Sequence, residues 1–150
     1  MALTGNLKVP STACGVLACP RPKHTILVAE DNLDSREMLE VLLEMKGYDV
    51  VSVADGHRAI EVAVQKVPDL ILIDLELPGL NGLSVAKELR LHPELRVVPI
   101  IIISGHDPAK YRTDALSAGC DDYLPKPIDF DRLDQILRER IPAAVRARSA

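Results

Sequence analysis

Glu30, Asp31, Asp74, Ser104 and Lys126 are the residues whose types and places could do chemistry. Each follows a short apolar run. HTILVA precedes Glu30 and Asp31, LILI precedes Asp74, VVPIIII precedes Ser104, and Tyr123-Leu124 stands just before Lys126. If these runs lie parallel in one sheet, three carboxylates, a hydroxyl and an ammonium meet at one edge. Two carboxylates about 4 Å apart repel by roughly 4 kcal/mol at an effective dielectric near 20, so three in one cleft call for a proton or a cation. Mg²⁺ suits such oxygen ligands, because it takes one or two carboxylates and keeps waters that an incoming phosphate can replace. Mn²⁺ would serve in its place. Asp74 is then a candidate nucleophile for phosphoryl transfer, with the cation and Lys126 neutralising the charge of the transferring group. Taken singly, Asp31 reads as a helix cap, Ser104 as a turn residue and Lys126 as a surface charge. Their convergence carries the reading.

The elements that must position them follow a repeating order. Strands are expected at His24–Ala29, Tyr48–Val53, Leu70–Asp74 and Val97–Ile103, with a fifth at Tyr123 and Leu124. Helices are expected at Asn32–Lys46, Asp55–Lys66, Leu83–Leu91, Ala109–Ala118 and Ile128–Arg140. Leu39, Leu42 and Leu43 mark the inner face of the first helix. Ala59, Ile60, Ala63, Val64 and Val67 mark that of the second, and Phe130, Leu133, Ile136 and Leu137 that of the last. Gly47 and Gly119 close helices as C′ glycines do. Five strand–helix units imply an α/β fold, a doubly wound parallel sheet with helices on both faces. In such sheets ligands bind beyond the strand C-termini.

The 150 residues suit one domain. Aromatic residues are only 3% of the chain, too few for a stacking platform for sugars or bases. The net charge of −4 disfavours wrapping a phosphate backbone. All 22 acids lie within residues 24–140, between short basic ends. Three cysteines are too few for a disulfide framework and fit a reducing compartment, so the expected location is the cytoplasm. Val16-Leu17-Ala18-Cys19 loosely resembles a lipoprotein cleavage site but lacks a charged start, and no run is long enough to insert in a membrane. His24, His57, His92 and His106 lack zinc spacing. Ser104-Gly105-His106 lacks the glycines of a nucleophile elbow, and no Gly-rich phosphate loop follows the first strand. Cys120 reads as a small packed residue.

From Lys23 to Arg140 the chain resembles the receiver domain of two-component response regulators. Four ordered stretches carry the resemblance: Ile26-Leu27-Val28-Ala29-Glu30-Asp31-Asn32, the run from Ile73 to Gly82, Ile102-Ile103-Ser104-Gly105, and the run from Ala118 to Pro127. It implies a flavodoxin-like (βα)5 fold with strand order 2-1-3-4-5. It implies that Asp74 accepts a phosphoryl group from a sensor histidine kinase or phosphotransfer protein. Glu30, Asp31, Asp74 and the backbone carbonyl of Glu76 would hold Mg²⁺. Ser104 and Lys126 would bind the phosphoryl group, and Tyr123 would rotate inward when Ser104 moves. A cis Lys126–Pro127 peptide is also implied. Such a domain is a phosphoacceptor that takes part in its own phosphorylation and autodephosphorylation, rather than an enzyme acting on a separate substrate. Phosphorylation would bias the surface of the fourth helix, fifth strand and fifth helix, where Lys110, Tyr111, Arg112 and Asp114 lie. That surface would be read by a downstream protein, with the domain acting as a monomer or as a dimer through it.

Two readings rival this one: a receiver-fold scaffold that switches without phosphorylation, and a receiver detached from a phosphorelay kinase. Ser104 stands where threonine is more frequent in the family; it keeps the hydroxyl and loses a methyl. Glu76 and His106 face the same mouth and are candidates for tuning dephosphorylation by controlling water access. Residues 1–22 are expected to form a disordered extension, 23–140 the receiver, and 141–150 a flexible basic tail. Neither end is long enough for a second core, so no attached output domain or direct DNA contact is expected.

Overall fold

Short runs of leucine, isoleucine and valine cannot leave their backbone amides unpaired once buried, so they pair with one another. In the computed structural model, which describes residues 24–141, five such runs do so. The strands are β1 (Thr25–Ala29), β2 (Asp49–Val53), β3 (Leu70–Asp74), β4 (Ile100–Ser104) and β5 (Asp122–Pro125). The helices are α1 (Leu33–Met45), α2 (Gly56–Lys66), α3 (Gly82–Leu89), α4 (Pro108–Ser117) and α5 (Phe130–Arg140), with a 3₁₀ turn at Pro93–Leu95. All strand pairs are parallel and the order is β2-β1-β3-β4-β5, as the resemblance implies.

Successive side chains alternate between two helical layers. Leu27, Ile71, Ile73, Ile100 and Ile102 pack with Ala59 and Ala63 of α2 and Val85 and Leu89 of α3. Ile26, Val28, Leu70, Leu72, Ile101 and Ile103 pack with Leu39 and Leu43 of α1 and Leu133, Ile136 and Leu137 of α5. Ile141, the first residue past the expected boundary at Arg140, is buried in that second layer. Every residue of β3 and β4 is buried, so their C-terminal ends are rigid platforms.

Side-chain oxygens start the helices. Asn32, Asp55, Asn81, Asp107 and Asp129 each accept an N–H of the first turn. Gly82 begins α3 because nothing larger fits: a Cβ there would lie 2.7 Å from the Asp74 carbonyl oxygen.

Several expectations need correction. Val67 is not an inward residue of α2; it caps that helix in the left-handed region at φ 44°, uncommon for a β-branched residue, and stands partly exposed. Val97 is not in β4. Pro99 has no N–H for a ladder, the strand starts at Ile100, and Val97 is 89% exposed. Helix α3 stops at Leu89, and the Pro93–Leu95 turn follows where no element was expected. Phe130 opens α5 at its N-terminus and lies partly exposed, not inward. The expected extension over 1–22, with Cys14 and Cys19, and the tail beyond Ile141 lie outside the described residues.

Candidate functional site

The parallel register places the ends of β1, β3, β4 and β5 side by side: Ala29 pairs with Ile73, Asp74 with Ile103, and Ser104 with Pro125. Glu30, Asp74 and Ser104 are buried there, while Asp31 is exposed. Carboxylate oxygens of Glu30, Asp31 and Asp74 all lie within 4.8 Å of one another. An all-oxygen set with one exposed member fits a hard divalent cation that keeps part of its water shell.

Each oxygen is held by its surroundings. Asp74 Oδ1 accepts the Glu76 N–H at 2.9 Å, and Oδ2 accepts from Lys126 Nζ at 2.9 Å. Lys126 Nζ also donates to Glu30 Oε1 at 3.1 Å, while Glu30 Oε2 accepts the Asn32 N–H at 3.1 Å. Arg36 donates to the Glu30 carbonyl at 3.0 Å, fixing the β1–α1 corner. The Lys126–Pro127 peptide is cis.

One ammonium faces more than one carboxylate. Burial foremost, and then the neighbouring Asp74, push the Glu30 carboxyl above the usual carboxylate range; the Asn32 N–H and Lys126 pull it partly back. Burial opposes the charge on Lys126, but its bonds to Asp74 and Glu30 outweigh that and hold its pKa above the ordinary value.

On the far side of the mouth His106 is a hub. Its N–H donates to Ser104 Oγ at 2.9 Å, and its carbonyl accepts the Tyr123 hydroxyl at 3.2 Å. Its ring contacts the Glu76 carboxylate and packs against Tyr111 of α4 in a tilted arrangement, with 4.8 Å between centroids. Tyr123 is already turned inward and buried. No hydrogen bond joins Ser104 to Asp74 among the described residues; the serine hydroxyl is engaged by its own loop.

All five residues singled out for chemistry therefore come to one edge of the sheet, and the Glu76 and His106 side chains meet between the loops that follow β3 and β4. Asp122 was missed. It is buried in β5 and paired with Arg132 at 2.9 Å and Arg112 at 3.7 Å, so it ties α5 and α4 to one strand. The doubled acid Asp121-Asp122 before an apolar strand was the available signal.

A five-stranded parallel sheet of order 2-1-3-4-5 with a cluster of acids at its C-terminal edge defines a doubly wound α/β domain with a candidate cation site at the strand ends. The family model described as the response regulator receiver domain matches residues 26–138, and the chain belongs to that family. A probable transcriptional regulator ycf27 of Porphyridium aerugineum is 37% identical over 116 residues, covering 77% of this chain and 47% of that protein. The phosphate regulon transcriptional regulatory protein PhoB of Pseudomonas aeruginosa is 37% identical over 123 residues, covering 79% of this chain and 53% of that one. The chain thus spans about half the length of these relatives. Among solved structures, a putative response regulator from Chloroflexus aurantiacus has a TM-score of 0.76 at 30% identity, covering 80% of this chain and 98% of that one. The receiver domain of a sensor histidine kinase from Pseudomonas aeruginosa, solved with magnesium coordinated in its active-site cleft, has a TM-score of 0.74 at 38% identity, again covering 80% and 98%. Among the described residues no helix is long and apolar enough to cross a membrane.

Proposed function

We propose that the chain is a phosphorylation-dependent signalling switch whose acceptor is Asp74. The carrying observation is the buried Asp74 carboxylate, held by Lys126 and the Glu76 N–H beside Glu30 and Asp31. The donor is a phosphohistidine of a sensor histidine kinase or phosphotransfer protein. An Asp74 carboxylate oxygen attacks phosphorus, the phosphorus–nitrogen bond breaks, and the donor imidazole leaves with the electron pair and takes up a proton. Glu30, Asp31, Asp74 and the Glu76 carbonyl would hold Mg²⁺, or Mn²⁺ in its place, as the magnesium in the related kinase receiver supports. When bound, that ion supplies positive charge to the phosphoryl oxygens.

Lys126 neutralises a further oxygen, and Ser104 exchanges its bond from the His106 N–H for one to the phosphoryl group. Freed from Ser104, the His106 loop re-sets against Tyr123 and Tyr111, and α4 follows. The α4–β5–α5 surface so changed is the one a downstream protein reads. The Glu76–His106 bridge spans the opening and restricts the water that would hydrolyse the acyl phosphate.

Incubation with acetyl phosphate and Mg²⁺, followed by intact-mass measurement, tests the assignment. The wild-type chain should gain one phosphoryl group and Asp74→Asn none. No gain in wild type, or an undiminished gain in Asp74→Asn, would overturn it.

A further inference from the structure

We propose that residues 142–148 of this chain dock in a groove at the N-terminal end of the sheet, strapping the end of α5 to the loops that lead into β3 and β4. This stands independently of the phosphoacceptor assignment, whose site lies at the opposite end of the strands.

The groove has a volume of about 370 Å³. Val67 before β3, Val97 and Pro99 before β4, and Ile141 after α5 give it an apolar lining. Val97 is 89% exposed and Val67 41%. Val67 keeps its place at φ 44°, where a glycine would sit without strain, so an apolar side chain is held at the groove against the preference of its own backbone. A buried donor also lacks a partner here. Arg140 lines the groove; its Nη2 donates to the Asp121 carbonyl at 3.0 Å, and its Nε is buried with no acceptor among the described residues. Buried donors are nearly always satisfied, and a backbone carbonyl laid in the groove would satisfy this one.

The chain itself delivers the occupant. Ile141, buried in the groove wall, stands at φ −115° and ψ 86°, off the helical backbone, as suits a residue before proline. The residues that follow are Pro142-Ala143-Ala144-Val145 and then Arg146-Ala147-Arg148. At about 3.3 Å per extended residue the four apolar ones reach about 13 Å, enough to cross a groove of this volume. Charge matches as well. Asp69 and Glu94 line the groove against the single guanidinium of Arg140. Asp69 accepts the Thr25 N–H at 2.7 Å, and the ion-pair partners of the two acids among the described residues are histidines, His24 at 3.6 Å and His92 at 3.8 Å. Residues 142–148 bring two arginines and no acid.

Two other occupants suit the groove less. The stretch before β1, Pro20-Arg21-Pro22-Lys23, is basic but offers only prolines as apolar groups, and His24 is not among the lining residues. A second copy in a two-fold pairing would bring the same two acids to the interface again.

Methyl NMR of the full chain tests this. Val97 and Val67 should show nuclear Overhauser contacts to Ala144 or Val145 that persist on dilution. Val145→Ser should reduce the docking equilibrium constant, read from the Val97 methyl shifts, by about tenfold. Val97→Ser changes a side chain too exposed to matter in an uncovered fold. It should lower the urea midpoint of the otherwise wild-type chain, but not that of a chain already carrying Val145→Ser. Glu94→Arg should weaken docking severalfold, and Arg146→Glu with Arg148→Glu in the same chain should recover part of it. Absence of contacts to residues 142–148, contacts to residues 1–23 in their place, contacts that fade on dilution as a second copy would give, equal effects of Val97→Ser in the two backgrounds, or no recovery in the charge-reversed chain would each overturn the proposal.

Discussion

The two ends of the sheet both gather charge, but one is balanced and the other is not. At the N-terminal ends of the strands, Arg90 is enclosed by acceptors: the carbonyls of Gly119, Leu95 and Val98 at 2.7 to 2.9 Å and Asp121 Oδ2 at 2.8 Å. Asp121 is in turn satisfied by the Ile100 N–H at 2.8 Å. Gly119 permits the approach, since it sits at φ 100° and a Cβ there would lie 2.8 Å from Arg90 Cγ. At the C-terminal ends, Glu30, Asp31 and Asp74 face one ammonium from Lys126. The lower cluster is balanced and does structural work. The upper one carries surplus negative charge, which suits it to a hard divalent cation.

Two variants separate these roles. Arg90→Ala should have the larger effect, because it strands several carbonyls and a carboxylate: about 3 kcal/mol of unfolding free energy by urea titration. The folded fraction should still take up phosphate at Asp74. A loss well under 1 kcal/mol would mean that the balanced cluster is not structural. Glu30→Gln should act in the other direction. The native Glu30 carboxyl is held above its ordinary range, so between that range and the raised native value the native chain binds more protons than the unfolded one. Metal-free stability should therefore fall as pH rises through that window. Removing the charge should raise the metal-free unfolding free energy by about 1 kcal/mol and reduce the stabilisation given by added Mg²⁺. A less stable Glu30→Gln in EDTA would show that no surplus charge opposes folding.

How much of this was legible depended on whether the signal was local. Leu70–Asp74 is apolar at every position before its acid, and both the strand and the acid's place at its end followed directly. The candidate site residues were legible because parallel topology brings the ends of four strands, β1, β3, β4 and β5, to one edge. Val97 misled because its apolar neighbours continue the run, whereas the proline that sets where pairing starts lies two residues later. Phe130 misled because helical periodicity places a residue on a face but does not say that the first turn projects beyond the core. Arg90 gave no signal at all. Its partners are mostly backbone carbonyls on a different turn and loop, and only packing brings them to one guanidinium.

The smallest effect concerns the rim of the charge-rich end, where Glu76 and His106 join the β3–α3 and β4–α4 loops. Both side chains are well exposed, 69% and 40%, so removing either should leave folding nearly unchanged. Their contact nevertheless links the loops that follow β3 and β4, and the His106 backbone holds Ser104 and Tyr123. If the bridge limits water, Glu76→Ala and His106→Ala should each speed autodephosphorylation by about three- to tenfold, roughly 1 kcal/mol in barrier. Because the two side chains form one bridge, the double variant should be no faster than the single ones. Decay of the phosphorylated chain followed by intact mass reads this directly. Additive effects would mean that the two residues act separately, and rates equal to wild type would mean that the mouth is open to water with the bridge in place.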